Sequence, residues 1–358
     1  MRGLFRKACW VHLQGRDAKS EVERIARLGF EEVLPNVVAV GGPLYPSRVR
    51  PQHPQAKGKD LVGEFVREAK RRGLKVHAWI VSLCYPNPEF EREHRGWYVV
   101  NRLSVSCVDE PPYVPYYKWL CPSRLEVREN LAELFLEVAD RYEVDGLHFD
   151  YIRLPDALLP KALRRKYPGV PLEDVVKPEF DYCYCETCRG EFAEEEGVDP
   201  AEIPYGSDLY EKWIAWRAKQ VTETVKHVAS RVKRAYPKLE ISAAVFPLSV
   251  ARRYVFQDWP SWSLDLYHPM LYHEFYEKGV DWIGEEAKAC ASKGLPVSVG
   301  VLADFMKSYD EMERAVRHAL ESGARGVTVF AYPLPRPELE EWVAKALAGI
   351  QPPSLRYA

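Results

Sequence analysis

The sequence predicts an α/β protein whose whole length, residues 1–358, forms a single (β/α)8 barrel, also called a TIM barrel. Eight short apolar segments alternate with amphipathic helical segments along the chain, which is the order of elements in this fold. Two connections, 84–122 and 154–206, are far longer than the others. A doubly wound open sheet is the alternative, but "HLQGRDAKS" (12–20) lacks the glycine-rich phosphate loop that usually follows its first strand.

Each predicted strand is an apolar run of strand length, and we number the eight strands in chain order. They span 7–13, 32–38, 75–83, 144–152, 239–246, 264–272, 296–302 and 326–332. Ser-x-x-Glu boxes that begin at Ser20, Ser123 and Ser308 predict helix starts. Helix ends are predicted at Gly29, Gly73, Gly294 and Gly323.

The composition is that of a globular, water-soluble protein. Hydrophobic residues make up 47% and charged residues 28%, with a net charge of -2, so we expect no nucleic-acid partner. No apolar run is long enough to span a membrane and no secretory signal is recognisable, which predicts a cytoplasmic location without a membrane partner. The chain has 28 Pro but only 4 Asn and 6 Gln, a balance that suggests a heat-adapted, thermophilic source. The oligomeric state is not predicted.

The end of strand 4, "VDGLHFDYIRLPD" (144–156), carries charges where a buried strand should be apolar. Side chains alternate along a strand, so His148 and Asp150 share one face while Leu147 and Phe149 share the other. The apolar face should pack against helices, which leaves Asp150 facing the barrel axis at the carboxyl end, where barrel enzymes carry their active sites. The alternative is that Asp150 only pairs with Arg153 and fills space.

The same alternation predicts other residues of the site. Glu274, just after strand 6, and Asp304, just after strand 7, are candidates for a second carboxylate, and Asp156 and Asp258 remain possible. Side chains that could contact a substrate are His77, Trp79, His148, Arg153, His268, Tyr272 and Tyr332.

A second motif, "DYCYCETC" (181–188), predicts a metal site. Cys183, Cys185 and Cys188 form C-x-C-x-x-C, and Cys121 is the best candidate for the fourth ligand of a tetrahedral zinc ion. Cys107 and Cys84 are alternatives for that ligand. A closed four-thiolate site has no position for water, so we interpret the zinc as structural, joining the two long loops beside Asp150.

Several segments together resemble the glycosyl-hydrolase-like family ten, formerly a domain of unknown function. They are "LPNVVAVGGPLYPSRVRP" (34–51), "VREAKRRGLKVHAWI" (66–80), "CPSRLEVRENLAELFLEVADRYEVDGLHFDYIRLP" (121–155) and "DLYHPMLY" (265–272). The resemblance implies a TIM barrel that acts on polysaccharide, with amino-sugar glycans among the proposed substrates. The family's strand-4 Asp matches Asp150, and Tyr151 stands where the family often has a second Asp.

The cysteine segment is similar to another group. "CP" before helix 3, followed by "CYCETCRGEF" (183–192), resembles the zinc cluster of family 42 β-galactosidases, which supports Cys121 as the fourth ligand. The catalytic glutamates of that family are not implied, because no matching Asn-Glu follows strand 4.

These observations predict an O-glycosyl hydrolase acting on a poly- or oligosaccharide. Glycosidases use two carboxyl groups: Asp150 is the predicted nucleophile or base, and Glu274, or else Asp304, the predicted acid. Trp79, Tyr272 and Tyr332 could stack on sugar rings. The alternative is a non-catalytic carbohydrate-binding protein built on a decayed glycosidase barrel.

Overall fold

A computed structural model describes residues 5–350 and confirms the barrel. Eight parallel strands appear, each within a few residues of its prediction. The strands are β1 (Arg6–Val11), β2 (Glu32–Ala39), β3 (Lys75–Val81), β4 (Gly146–Asp150), β5 (Glu240–Val245), β6 (Leu266–Pro269), β7 (Ser298–Leu302) and β8 (Gly326–Tyr332). A further two-residue strand, Gly42–Pro43, pairs antiparallel with the end of β2.

The strands close into a ring, which excludes the open-sheet alternative. Neighbouring strands pair in the order β6-β5-β4-β3-β2-β1-β8-β7. Parallel bridges between Tyr267 and Val297 and between Met270 and Gly300 join β6 to β7. Each of the eight barrel strands described here therefore has two neighbours, and all eight carboxyl ends open on one face of the barrel.

Helices surround the barrel and also lie within its two long loops. They are α1 (Ala18–Arg27), α2 (Gly63–Arg71), α3 (Pro88–Glu93), α4 (Leu125–Arg141), α5 (Lys161–Arg164), α6 (Glu186–Glu196), α7 (Asp208–Ala235), α8 (Ala251–Val255), α9 (Asp281–Ser292), α10 (Tyr309–Glu321) and α11 (Pro337–Ala348). The main core lies between these helices and the outer side of the barrel. For example, the rings of Phe135 on α4 and Phe149 on β4 lie 4.3 Å apart. Among the described residues, no helix combines the length and apolarity that a membrane crossing needs.

The helix-start predictions have mixed outcomes. Ser308 caps α10 by accepting the Glu311 N–H, as predicted. The prediction at Ser20 is wrong, because Asp17 caps α1 and accepts the Ser20 N–H instead. The prediction at Ser123 is also wrong, because α4 starts two residues later without a side-chain cap and the Ser123 hydroxyl contacts the Cys188 thiol at 3.2 Å.

Candidate active site

A cavity of about 530 Å³ opens at the carboxyl face of the barrel. Every barrel strand, or the residue just after it, contributes to its lining, including His12, Asn36, Trp79, Asp150, Met270 and Phe330. The long loop after β4 adds Leu159, Pro160 and Leu163 to the walls. This is the place at which (β/α)8 enzymes carry their chemistry.

Asp150 is the buried carboxylate at the base of this cavity. Its Oδ2 accepts the indole N–H of Trp79 at 2.8 Å, and its Oδ1 accepts the backbone N–H of Tyr151 at 2.7 Å. Burial raises the pKa of Asp150 to about 6, although both hydrogen bonds and the charge of Arg153 oppose the rise. Asp150 therefore stays a carboxylate at neutral pH but becomes a neutral acid within a mildly acidic range.

The raised pKa of Asp150 predicts a pH-dependent stability cost. A carboxyl whose folded pKa exceeds its unfolded value favours the folded state only while it is protonated, so stability falls as pH rises from about 4 to about 6. A rise of this size corresponds to ~3 kcal/mol. The amide of Asp150→Asn has one acceptor oxygen for two N–H donors, so its NH2 group faces the other donor at a cost that is the same at every pH. We therefore expect the stability of Asp150→Asn relative to wild type to rise by up to ~3 kcal/mol between pH 4 and pH 7.5, as measured by urea unfolding.

The control for this measurement is Asp304→Asn, which changes an exposed carboxyl with the same chemistry. The Asp304 side chain is 53% exposed, so its replacement should give no advantage that appears between pH 4 and pH 7.5. A stability difference between Asp150→Asn and wild type that is flat with pH would contradict the buried, raised-pKa carboxyl.

Three of the predicted substrate contacts lie in the cavity lining with Asp150: Trp79, Arg153 and Tyr272. Arg153 donates to Asp156 at 2.9 Å and makes no hydrogen bond or ion pair with Asp150 in the described structure. The hydroxyl of Tyr272 is buried and has no hydrogen-bond partner among residues 5–350. Burial holds the pKa of Tyr272 well above its usual value, so this hydroxyl remains a donor that a ligand could satisfy.

Two predicted histidines lie deeper in the barrel, outside the cavity lining. His148 Nε2 accepts the indole N–H of Trp10 at 3.1 Å, and its Nδ1 lies 2.8 Å from the Ser242 hydroxyl. His268 Nδ1 lies 2.9 Å from the Thr328 hydroxyl. Burial lowers the pKa of both histidines well below the usual value, so they are neutral packing groups of the barrel interior.

His77 lies at the opposite, amino-terminal end of the barrel. It belongs to a partly buried cluster in which its Nε2 is 3.4 Å from Glu240 and 3.6 Å from Glu32, and Arg6 pairs with both glutamates. A side chain at Gly146 would overlap the His77 ring, so this glycine makes room for the cluster. We call Arg6, Glu32, His77 and Glu240 the basal cluster.

Of the candidates for the second carboxylate, Asp156 lies in the lining, whereas Glu274, Asp304 and Asp258 lie outside it. Glu274 is in a short 3-10 turn, His273–Tyr276, that points Phe275 and Tyr276 into the cavity and leaves Glu274 paired with Lys307 at 2.7 Å. Asp304 pairs with Arg336 at 3.3 Å. In this arrangement Asp156 is the other carboxylate of the cavity lining.

Tyr332 also lies outside the cavity lining, and the reason is a change of register. β1 pairs Cys9 with Val329 but Val11 with Tyr332, so one extra residue is present on β8. A one-residue shift moves a side chain to the other face of a strand. Phe330 supplies the cavity-facing aromatic ring of β8 in place of Tyr332.

Sequence reasoning missed His12 and Asn36 as lining residues. The His12 ring lies 5.0 Å from that of Trp79 and 5.6 Å from that of Phe330, measured between centroids. The signal was available, because Trp10 and His12 alternate at the end of β1 as His148 and Asp150 do at the end of β4. Burial lowers the pKa of His12.

The four predicted metal-binding cysteines, Cys121, Cys183, Cys185 and Cys188, come together and are all buried. Their Sγ atoms lie within 4.8 Å of one another; Cys121 is 3.7 Å from Cys185 and 3.5 Å from Cys188. Sulfurs around a tetrahedral zinc ion with ~2.3 Å bonds stand about 3.8 Å apart. These separations exceed a disulfide bond and fit a four-thiolate metal site.

Trp119, two residues before Cys121 in the chain, lies between the cysteine cluster and the cavity wall in sequence and contacts that wall. Cys121 and Trp119 belong to the loop after β3, whereas the other three cysteines belong to the loop after β4. The Trp119 ring lies 5.5 Å from that of Tyr151 and 4.6 Å from the guanidinium carbon of Arg153. Cys107 lies outside the cluster, where its sulfur accepts the Trp119 N–H.

Comparison with known proteins decides the family. The profile of the family glycosyl hydrolase-like 10 matches residues 7–307. The chain belongs to this family. A relative found by sequence similarity, "Glycosyl hydrolase DigH" of Escherichia coli K12, is 29% identical over 171 residues, which are 42% of this chain and 38% of that protein. The matched region is thus well under half of the length of this relative. Membership of glycosyl hydrolase-like 10 supports a glycosidase-type function.

Solved structures similar to this glycosyl hydrolase-like 10 chain include TIM-barrel glycosidases. α-L-Fucosidase isoenzyme 2 from Paenibacillus thiaminolyticus matches 97% of the chain, and 49% of its own, with a TM-score of 0.66 and 16% identity. The β-galactosidase of Rahnella sp. R3 gives 0.65 at 13% identity, over 97% of this chain and 56% of its own. The catalytic domain of β-amylase from Paenibacillus polymyxa gives 0.65 at 11%, over 97% and 99%. At such identities the likeness shows the fold alone.

Proposed function

We propose that this protein hydrolyses glycosidic bonds of a poly- or oligosaccharide, with Asp150 as nucleophile or base. The observation that carries the proposal is a buried carboxylate at the carboxyl end of β4, in the lining of a 530 Å³ cavity, whose neighbouring cation, Arg153, is bound to Asp156 instead. Burying a charge without a partner is costly, which is typical of a functional group.

The geometry suits the chemistry of a glycosidase carboxylate. Each oxygen of Asp150 accepts one hydrogen bond, so each keeps a lone pair for the anomeric carbon or for a water molecule. The indole of Trp79 fixes the orientation of the carboxylate. The free hydroxyl of Tyr272 is a donor for a sugar hydroxyl, and the aromatic rings of the lining offer apolar faces to the sugar ring.

A non-catalytic carbohydrate-binding protein is the second candidate, and turnover separates the two. The experiment is a screen of aryl glycosides and glycan fragments against wild type and Asp150→Asn. Hydrolysis by wild type that is lost in the variant supports the enzyme. Binding of a glycan by both proteins, without release of product by either, supports the binding protein.

Trp79→Phe tests the positioning role of the indole N–H. The N–H favours the ionised form of Asp150, so its removal should raise the pKa of that carboxyl. We expect the acid limb of the pH profile of kcat/KM to move to higher pH and kcat at neutral pH to fall about tenfold. Trp10→Phe is the matched control, because its N–H binds the neutral His148 below the cavity; it should leave the limb in place. A limb that stays put in Trp79→Phe contradicts this role.

Glu274→Gln tests the predicted acid. Because Glu274 pairs with Lys307 outside the cavity lining, we expect the variant to keep kcat/KM within about threefold of wild type and to keep the alkaline limb. Loss of that limb, with activity retained on substrates whose leaving groups need no protonation, would restore Glu274 as the acid. Asp304→Asn is measured in parallel, with the same expectation.

We also propose that the cysteine cluster holds a structural zinc ion. Cys121, Cys183, Cys185 and Cys188 would be its ligands. Four thiolates close the coordination sphere and leave no position for water or substrate. The ion would supply a cross-link between the two long loops and take no part in bond cleavage.

A further inference from the structure

His12 supplies the imidazole of the described cavity lining. Its backbone N–H donates to the Tyr332 carbonyl at 2.9 Å, which continues the ladder between β1 and β8 one residue past the end of β1. The ring packs against the rings of Trp79 and Phe330. Within residues 5–350 neither ring nitrogen makes a hydrogen bond or an ion pair, so both remain available to a ligand.

The indole of Trp79 contacts both His12 and Asp150. Its ring lies 5.0 Å from the imidazole between centroids, and its N–H donates to the Asp150 carboxylate at 2.8 Å. In the barrel, β2 and β3 separate β1 from β4, so His12 and Asp150 reach the cavity from different sides. Because one indole ring spans them, the two groups are separated by at most about 10 Å, within the range of roughly 5 to 10 Å between the two catalytic groups of glycosidases.

The other groups of the described lining that can carry a proton are less suited to act as the acid. Asp156 pairs with Arg153 at 2.9 Å, and protonation of Asp156 would leave a buried guanidinium without its partner. Burial raises the pKa of the four tyrosines of the lining, which therefore release a proton less readily than in water; they are Tyr117, Tyr151, Tyr272 and Tyr276. Lys161 and Lys278 are exposed and lie outside the lining.

We propose that His12 is the proton donor that acts with Asp150 on the glycosidic bond. This inference rests on the proposed function and supplies an acid within the lining, which Glu274 and Asp304 do not reach. The His12 imidazolium gives its proton to the glycosidic oxygen as the bond between that oxygen and the anomeric carbon breaks. The new bond to the anomeric carbon forms from a carboxylate oxygen of Asp150, or from a water molecule whose proton Asp150 takes.

Both routes return His12 and Asp150 to their starting states. After attack by Asp150, the neutral imidazole takes a proton from water, the water oxygen bonds to the anomeric carbon, and the ester to Asp150 breaks. After attack by water, Asp150 holds one proton and His12 lacks one, and exchange with solvent restores both. On either route His12 must begin as an imidazolium.

This requirement fixes the direction of the pH dependence. The charged groups that face His12 across the described cavity are Asp150, Arg153 and Asp156, beside the four tyrosines, while the packed rings of Trp79 and Phe330 carry no titrating group. Burial lowers the pKa of His12. Since the imidazolium is lost as pH rises through that pKa, we expect the alkaline limb of kcat/KM to lie below ~6.5, the ordinary value for imidazole.

The test compares leaving groups on the sugar of the best substrate from the glycoside screen. A phenyl glycoside needs a proton on its departing oxygen, whereas a 2,4-dinitrophenyl glycoside departs without one. We expect His12→Gln to lower kcat/KM by ~100-fold or more for the phenyl glycoside, but by no more than about fivefold for the 2,4-dinitrophenyl glycoside. The alkaline limb for the phenyl glycoside should disappear. His12→Asn is measured alongside, so that the result does not depend on one amide fitting the site.

The matched control is Asn36→Ala, which changes a neighbouring residue of the lining that carries no ionisable proton. Any activity that this variant loses should be lost by the same factor on both substrates. An equal loss on both substrates in the His12 variants, or an alkaline limb that persists in them, would overturn the inference and leave the glycosidase standing. If wild type hydrolyses neither substrate, the proposed function fails, and the role of His12 fails with it.

Discussion

Asp150→Asn is expected to lower kcat/KM for glycoside hydrolysis by at least about 10³-fold, the scale on which removal of a principal catalytic group acts. The amide has the size and shape of the carboxylate, and its oxygen can accept one of the two N–H donors, from Trp79 or from Tyr151, so we expect the fold and the cavity to persist. The variant lacks the carboxylate oxygen that attacks the anomeric carbon or takes a proton from water. The measurement is steady-state hydrolysis of the best substrate from the glycoside screen, with circular dichroism to check the fold.

The pH profile of the wild type sharpens this prediction. A nucleophile or base must be ionised, and the pKa of Asp150 is raised to about 6 by burial, so kcat/KM should fall as pH drops through about 6. If activity instead rises with protonation of this group, Asp150 acts as the acid. Asp304→Asn, an exposed carboxyl outside the lining, should hydrolyse at the wild-type rate. Near wild-type turnover by Asp150→Asn would reduce Asp150 to a structural role.

Cys185→Ser should have the largest effect on stability. Elemental analysis of wild type, purified without chelator, should show about one zinc ion per chain, and the variant should show little. A ligand present at about a thousand times its Kd adds ~4 kcal/mol to folding stability, so we expect a loss of that order, seen in chemical unfolding. Limited proteolysis should then cut within 84–122 and 154–206, because the cross-link between these loops is gone.

The control is Cys107→Ser. Cys107 is buried in the same loop as Cys121 but lies outside the cluster, and a serine hydroxyl can still accept the Trp119 N–H that its sulfur accepts. This variant should keep the metal and the wild-type protease pattern. Wild-type protein that contains no metal, or Cys185→Ser protein that retains it, would refute the structural zinc.

The features that could be predicted from sequence are those that depend on short spacings. Alternation within one strand put Asp150 on the inner face of β4, and its place late in the apolar run put it at the carboxyl end. The C-x-C-x-x-C spacing identified three of the four clustered cysteines. Cys121 is far away in the chain, and only its position before a helix and the resemblance to another cysteine segment indicated it. The barrel followed from the alternation of eight apolar segments with amphipathic helical segments, and the family followed from the resemblance of four longer segments. The thermophilic source and the cytoplasmic location stay predictions.

The features that failed depend on three-dimensional detail. Alternation gives the side of a strand but not the depth, so it could not separate His77 and His148 from residues at the mouth. One extra residue on β8 turned Tyr332 away, and a 3-10 turn after β6 carried Glu274 outward while its neighbours turned inward. Neither irregularity can be recognised from the order of apolar and polar residues. A bulge adds one residue to a strand, and a single 3-10 turn reorients only a few side chains.

The barrel has two separate polar regions, the basal cluster at its amino-terminal end and the Asp150 cavity at its carboxyl end. Within the described residues, the basal cluster makes no hydrogen bond or ion pair with Asp150, and the packed rings of Trp10, His148 and His268 lie between the two. Residues at the amino-terminal face of such barrels serve stability, while those at the carboxyl face serve chemistry. Substitutions in the basal cluster can therefore change the stability of the barrel without changing the surroundings of Asp150. Conversely, a redesigned cavity keeps the basal cluster unchanged.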